Sequence, residues 1–218
     1  MSNHELFPIM KEKLYTGVIS DTLDDLGYRD QVMREDIRPI NEDWVVVGSA
    51  KTILAADVYH IHENPYDKEI SALDSIKPGE VVVGSVNNSK QNGLWGELLS
   101  TAAKMRGGTG AIIGGLIRDT KRILEMDFPV FCTGFKPVDS KGRGIVIDYD
   151  CPVEVGGVVV KPGDVIFGDR DGIVVIPLQI FEKTVELALQ KVESENKTRD
   201  ELLEGKLLRE VYEKYGVL

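Results

Sequence analysis

Residues 96–119 read GELLSTAAKMRGGTGAIIGGLIRD, and this stretch decides how the rest of the chain is interpreted. Apolar pairs around its start recur every four residues, which predicts one face of a helix. These residues are Leu94, Trp95, Leu98, Leu99, Ala102 and Ala103. Two glycines at 107–108 are suited to end that helix, and the apolar run 110–115 predicts a buried strand. The stretch therefore predicts a helix followed directly by a strand.

Polar groups stand at both ends of this unit. Gly96 and Glu97 lie near the helix start, where the first N–H groups, including those of Leu98 and Leu99, lack intrahelical partners and can bind an anion. The pair Arg118 and Asp119 follows the strand directly. In layered α/β folds, ligands gather at the carboxyl ends of strands and at helix starts.

These residue types predict a site for an anionic, oxygen-rich ligand together with a divalent metal. Arginine offers a planar fork to a carboxylate, and the carboxylates of Glu97 and Asp119 are hard ligands suited to Mg²⁺ or Mn²⁺. An alternative needs no ligand: Arg118 pairs with an acidic neighbour, and Asp119 caps a helix that begins near Thr120.

A Gly-Glu pair followed, after twenty residues, by Arg-Asp resembles the signature of the RraA-like family. That family includes the regulator of ribonuclease E activity A and the class II 4-hydroxy-4-methyl-2-oxoglutarate (4-carboxy-4-hydroxy-2-oxoadipate) aldolases. Residues 16–27 (TGVISDTLDDLG) are similar to its N-terminal helix, and residues 153–177 are similar to its closing strands. The resemblance implies an α/β fold, a swivelling β/β/α arrangement, over one domain of residues 1–218.

The resemblance also implies roles for the residues of the signature. Asp119 corresponds to the residue that holds the divalent ion, Mg²⁺ or Mn²⁺, and Glu97 to the acidic residue that positions water there. Arg118 corresponds to the residue that binds the keto oxygen or carboxylate of a pyruvyl group and stabilises its enolate. The N–H groups of Leu98 and Leu99, beside Gly96, would take the substrate carboxylate. No residue is assigned as the catalytic base.

The implied function is a metal-dependent aldolase or lyase that acts on pyruvyl 2-oxo acids. Oxaloacetate decarboxylation passes through the same enolate, so one site could catalyse both reactions. The competing hypothesis is a non-catalytic regulator that binds a ribonuclease E-like protein. The retention of Glu97, Arg118 and Asp119 favours the enzyme, because inhibition by protein contact does not require such a trio. One departure from the family pattern is Gly114, where many members carry an acidic or amide residue, and it leaves the substrate open.

The composition is that of an ordinary globular protein. The chain has 218 residues, of which 42% are hydrophobic and 28% charged, and its net charge of −10 argues against a nucleic-acid-binding surface. No apolar run is long enough to cross a bilayer, and the first residues do not resemble a secretion signal. We therefore expect no membrane partner and a cytoplasmic location.

Several flanking elements are predicted from local patterns. Residues 1–27 predict helix, with Thr16 as a cap and Gly27 as a stop. Residues 44–55 predict strand with a break at Gly-Ser, and the segments 77–84 and 161–168 each predict a turn followed by a strand.

The end of the chain, about residues 178–218, predicts an amphipathic helical tail. The first part carries an apolar face at helical spacing, formed by Phe181, Val185, Leu189 and Val192. A second apolar stripe follows Gly205 and must pack on its own domain or on a neighbouring subunit. The family resemblance implies a homotrimer or hexamer, which favours the neighbouring subunit.

Overall fold

The structure is a computed structural model that describes residues 3–217. The helices are α1 (Asn3–Lys13), α2 (Thr16–Asp25), α3 (Asp67–Asp74), α4 (Glu97–Met105), α5 (Thr120–Glu125), α6 (Phe181–Leu203) and α7 (Leu208–Tyr215), with a 3₁₀ turn at Leu178–Ile180. The strands are β1 (Arg38–Pro39), β2 (Val46–Asp57), β3 (Glu80–Ser85), β4 (Gly93–Trp95), β5 (Gly110–Ile117), β6 (Val130–Phe135), β7 (Gly144–Tyr149), β8 (Val153–Val155), β9 (Val158–Val160), β10 (Val165–Asp169) and β11 (Gly172–Ile176).

One large mixed sheet organises the described part of the chain. Its order is β1-β6-β5-β3-β2-β10-β11, with β4 beside β5 and β7 beside β2. The central strands β2, β3, β5 and β6 run parallel, and β10 and β11 join antiparallel. The short strands β8 and β9 form a separate hairpin. The α/β fold class expected from the sequence is confirmed.

Three apolar clusters hold these layers together. One lies between the sheet and the helices α3, α4 and α5, and includes Trp95 and Ile123. The second lies on the other face, where the β8–β9 hairpin packs on the central strands. The third joins α1, α2 and α6 to β10 and β11. Because the central strands are covered on both faces, they are almost continuously apolar.

The turn predictions at 77–84 and 161–168 are confirmed. Gly79 and Gly163 have φ values of +81° and +87°, the left-handed conformation that favours glycine at this turn position. The N–H groups of Glu80 and Asp164 donate to the carbonyls of Lys77 and Lys161, at 3.2 and 3.1 Å respectively. The same turn therefore precedes β3 and β10.

Three local predictions need correction. Residues 46–57 form one continuous strand without a break at Gly-Ser, because Ser49 stays in register with both β3 and β10. Leu94 and Trp95 belong to β4 rather than to the helix, which begins at Glu97. Thr16 is the first helical residue of α2, and Tyr15 occupies the cap position.

The C-terminal helices follow the predicted pattern in part. In α6, Phe181 and Val185 are buried against α1 and α2, while α7 buries Val211 and leaves Leu208 and Tyr212 exposed. None of the helices within residues 3–217 is long and apolar enough to cross a membrane.

Candidate functional site

A cavity of about 310 Å³ opens at the carboxyl end of β5. The parallel strands β5 and β6 end there, and the start of α4, the helix α3 and the segment after β6 close its walls. Its lining consists of Tyr66, Glu69, Ile70, Leu94, Gly96, Leu98, Leu99, Arg118, Asp119, Asp139 and Ser140. The volume suits a small molecule.

The pairing of β4 with β5 brings the two ends of the signature together. Trp95 lies beside Ile117, and its carbonyl accepts the N–H of Arg118 at 2.8 Å. The indole of Trp95 donates to Ser100 at 2.7 Å, which ties the strand to the first turn of α4. Gly96 is held between these elements, and a Cβ there would lie 2.7 Å from a carboxylate oxygen of Asp119. Any larger residue at this position therefore requires Asp119 and Arg118 to shift.

Asp119 adopts the left-handed conformation, with φ +60° and ψ +27°. It occupies the position before α5, yet its side chain forms no cap hydrogen bond. Instead, Oδ2 lies 3.4 Å from the backbone nitrogen of Glu97 and 3.6 Å from Nε of Arg118. The alternative is therefore confirmed in part: Asp119 holds the cap position of a helix that begins at Thr120 and Arg118 pairs with acidic neighbours, but the carboxylate of Asp119 does not cap that helix and faces the start of α4.

Arg118 connects two carboxylates of the cavity. Its Nη2 lies 3.2 Å from Oδ1 of Asp139, and its Nε faces Asp119. The phenol of Tyr66 donates to the other oxygen of Asp139 at 2.5 Å. Burial raises the pKa of Asp139, but the hydrogen bond from Tyr66 and the charge of Arg118 outweigh burial and leave the pKa below its ordinary value. Asp139 is thus an anion that orients the guanidinium.

Glu69 is the buried acid of the site. It projects from α3, is 8% exposed, and its carboxyl group has no hydrogen-bond or ion-pair partner among residues 3–217. Burial raises the pKa of Glu69 to about 7; the charge of Asp139 adds to the rise, and Arg118 opposes it. A carboxyl group with such a pKa can both give and take a proton near neutral pH.

The structure brings most of the predicted site residues to the cavity. Gly96, Leu98, Leu99, Arg118 and Asp119 all line it. The N–H groups of Leu98 and Leu99 find no acceptor in the described part of the chain, so the first turn of α4 offers free donors there.

The carboxylate of Glu97 is placed differently. It accepts a hydrogen bond from Thr101 at 2.9 Å and does not line the cavity, although its backbone nitrogen faces Asp119. Gly114 also lies outside the lining, and a Cβ there would meet Val155 of the β8–β9 hairpin at 3.0 Å. The departure at Gly114 therefore concerns packing against the β8–β9 hairpin.

Asp119 is the predicted metal ligand whose position can be compared with the needs of a divalent ion. Among residues 3–217 there is no group of three or more acidic, histidine or cysteine side chains that could hold a metal. Asp119, with 45% of its side chain exposed, is the predicted ligand that faces the cavity. One carboxylate suffices for Mg²⁺, which keeps several waters and takes its remaining ligands from substrate oxygens.

Sequence reasoning did not find Tyr66, Glu69 or Asp139. They lie far from the signature, and α3 and the segment after β6 bring them to it. One signal was available for Asp139, because it follows a strand that runs parallel to the one before Arg118. Glu69 lies three and four residues before the buried Ala72 and Leu73 in α3, so the helical spacing was the available signal for its burial.

The RraA-like family model, described as Aldolase/RraA, matches residues 16–175. The chain belongs to the RraA-like family. The resemblance noted from residues 96–119 is confirmed, and with it the identification of the fold.

Relatives of this RraA-like chain carry different names. A "Putative 4-hydroxy-4-methyl-2-oxoglutarate aldolase" from Halalkalibacterium halodurans is 33% identical over 176 residues, which cover 81% of this chain and 79% of the relative. Protein DlpA from Legionella pneumophila is 28% identical over 90% of this chain, which spans only 32% of DlpA.

One similar solved structure is named for ribonuclease inhibition. RraAS2 of Streptomyces coelicolor, described as an unusual member of the RNase ES inhibitor RraA protein family, has a TM-score of 0.81 and 28% identity. The match covers 90% of this chain and 96% of RraAS2. The family thus contains proteins named as aldolases and proteins named as ribonuclease inhibitors.

Proposed function

We propose that this protein is a divalent-metal-dependent lyase that cleaves a carbon–carbon bond next to a pyruvyl group. The observation that carries the proposal is the arrangement of Arg118 and Asp119 in a small cavity, opposite the free N–H groups of α4. Names of aldolase relatives support the same reaction class. A guanidinium, free amides and a carboxylate together suit a 2-oxo acid.

Different residues of the cavity have different roles in a retro-aldol cleavage. The N–H groups of Leu98 and Leu99 bind the carboxylate of the substrate, and Arg118 binds its keto oxygen. When bound at Asp119, a divalent ion acts as a Lewis acid towards the pyruvyl oxygens. Asp139 and Tyr66 fix the guanidinium of Arg118, so the positive charge is in place before the enolate forms.

Glu69 is the group of this chain that moves the proton. The hydroxyl on carbon 4 loses its proton and becomes a carbonyl, while the electron pair of the broken bond goes to carbon 3 and forms the enolate of pyruvate. The enolate then gains a proton at carbon 3. A pKa of about 7 allows Glu69 to exchange protons in both directions at neutral pH.

The test is a coupled assay of pyruvate release from oxaloacetate and 4-hydroxy-2-oxo acids, with Mg²⁺ or Mn²⁺ and then with a chelator. We expect Arg118→Ala and Asp119→Ala each to lower kcat/KM by at least about 100-fold with the fold retained by circular dichroism. The matched control is Arg122→Ala, since Arg122 is exposed and pairs with Glu125 away from the cavity. Unchanged pyruvate release in both site variants contradicts the proposal. If no substrate releases pyruvate, the proposal is wrong and protein binding becomes the favoured function.

A further inference from the structure

The cavity is poor in positive charge for a site that binds organic acids. Three carboxylic acids line it, those of Glu69, Asp119 and Asp139, and within residues 3–217 the one cationic side chain in the lining is Arg118. With a divalent ion at Asp119, the formal charge of the cavity is zero when Glu69 is ionised and +1 when Glu69 is protonated. The lining can therefore compensate one substrate carboxylate but offers little attraction to a second.

The single guanidinium is already shared. Arg118 contacts Asp139 at 3.2 Å and Asp119 at 3.6 Å. The phenol of Tyr66 donates to Asp139, so its proton is not free for a substrate. Apart from Arg118, which binds the keto oxygen in the proposed reaction, the donors are the amides of Leu98 and Leu99, which suit one carboxylate, and the neutral hydroxyl of Ser140.

The other walls of the cavity are apolar. Leu94 is 7% exposed and Leu99 is half-buried, whereas Ile70 and Leu98 stand at the opening with exposures of 56% and 75%. A carboxylate placed against the inner walls at Leu94 and Leu99 loses water without gaining a partner, while an alkyl group gains by burial. The end of the substrate that lies beyond the pyruvyl group should therefore be uncharged.

We propose that the cavity selects 2-oxo acids with a single carboxylate, namely 4-hydroxy-2-oxo acids whose carbon 4 carries a short alkyl group. The inference rests on the proposed pyruvyl chemistry. It departs from the substrate in the names of the aldolase relatives, because 4-hydroxy-4-methyl-2-oxoglutarate carries a second carboxylate on carbon 4. Cleavage of the selected class gives pyruvate and an aliphatic aldehyde, with the hydroxyl proton lost and one proton gained at carbon 3.

Binding tests the charge preference without relying on turnover. The probes are 2-oxopentanoate and 2-oxoglutarate, which differ by a methyl group in place of the distal carboxylate. In calorimetry on the full chain with Mg²⁺, we expect 2-oxopentanoate to bind at least about 10-fold more tightly. Equal affinity, or tighter binding of 2-oxoglutarate, overturns the proposal.

Rates of pyruvate release distinguish an error in the substrate class from an error in the proposed reaction. We expect kcat/KM for 4-hydroxy-2-oxopentanoate to exceed that for 4-hydroxy-4-methyl-2-oxoglutarate by at least about 10-fold. Faster cleavage of the dicarboxylate overturns the substrate class and leaves the lyase function standing. No pyruvate from either, together with selective binding of 2-oxopentanoate, supports the ligand class and overturns the lyase function.

Ile70 allows the preference to be reversed. Ile70→Arg places a second cation at the opening, and we expect it to raise kcat/KM for the dicarboxylate by about 10-fold. Ile70→Gln is the matched control, because it adds a polar side chain without charge and should change the ratio of the two substrates less than Ile70→Arg does. An equal effect of both variants contradicts the role of charge.

Discussion

At the residue scale, the burial of Glu69 links the site to stability. Its pKa rises from an ordinary value of 4.5 to about 7, so the folded state holds this proton more tightly than the unfolded state does. The stabilisation is fully present below pH 4.5 and is lost as pH rises through 7. At pH 8 the folded wild type bears the cost of a buried, ionised Glu69, and Glu69→Gln does not. The variant should therefore be more stable than the wild type at pH 8 by up to about 3 kcal/mol.

Urea unfolding at pH 5 and pH 8 measures this difference. The gap between Glu69→Gln and the wild type should widen with pH, and the variant should lose pyruvate release even though it gains stability. A gap that does not change with pH would mean that Glu69 titrates normally.

Gly96 carries the second prediction at this scale. Because a Cβ at this position would lie 2.7 Å from Asp119 and 3.2 Å from Arg118, Gly96→Ala must displace both side chains. We expect kcat/KM to fall about 100-fold. The control is Gly17→Ala in α2, where the new Cβ would meet Tyr15 at 3.6 Å and alanine favours the helix. Equal activity in the two variants would show that Asp119 and Arg118 can move without loss.

Only some of the cavity residues could be predicted from the sequence. Gly96, Arg118 and Asp119 were found because each is adjacent to a helix start or a strand end, which are local patterns. Glu69 and Asp139 were not found, because their chemistry depends on burial and on neighbours brought by the tertiary fold.

At the scale of elements, α2 is capped from another part of the chain. The N–H and hydroxyl of Thr16 donate to the carboxylate of Asp169 at 2.8 and 2.7 Å, and the N–H of Asp171 donates to it at 2.9 Å. Asp169→Ala leaves these donors unpaired, and we expect a loss of about 2 kcal/mol in unfolding free energy. Asp171→Ala is the control, since its exposed side chain should contribute within about 0.5 kcal/mol. Equal losses in chemical denaturation would contradict the tertiary cap.

This cap explains why the start of α2 was assigned wrongly from sequence. Threonine before an apolar helical pattern is a normal cap signal, and only the turn between β10 and β11 reveals the acceptor. The pair Leu94 and Trp95 was misread for a related reason. Two apolar residues next to a helix fit its spacing, whereas pairing with β5 makes them a strand.

At the scale of the whole molecule, the C-terminal tail bears on assembly. Val211 is buried against α6, and the contacts of Lys214 and Tyr215 with Glu201 hold the two helices together. Part of the second apolar stripe therefore folds back on the chain. The exposed remainder consists of Leu207, Leu208 and Tyr212, with exposures of 66%, 53% and 47%, and the neighbouring Leu203 at the end of α6 is 81% exposed. An apolar surface of this kind favours contact with another subunit.

We expect the protein to sediment as a trimer or hexamer at micromolar concentration, as the family resemblance implies. The double variant Leu207→Ser and Leu208→Ser keeps the buried Val211, so α7 should stay folded while the assembly shifts to smaller species. Val159→Ser removes an equally exposed apolar side chain, 60% accessible in β9, and serves as the control. A wild-type monomer contradicts the assembly. A double variant that sediments like the wild type places the contact elsewhere on the surface and leaves the exposed tail residues without a role in it.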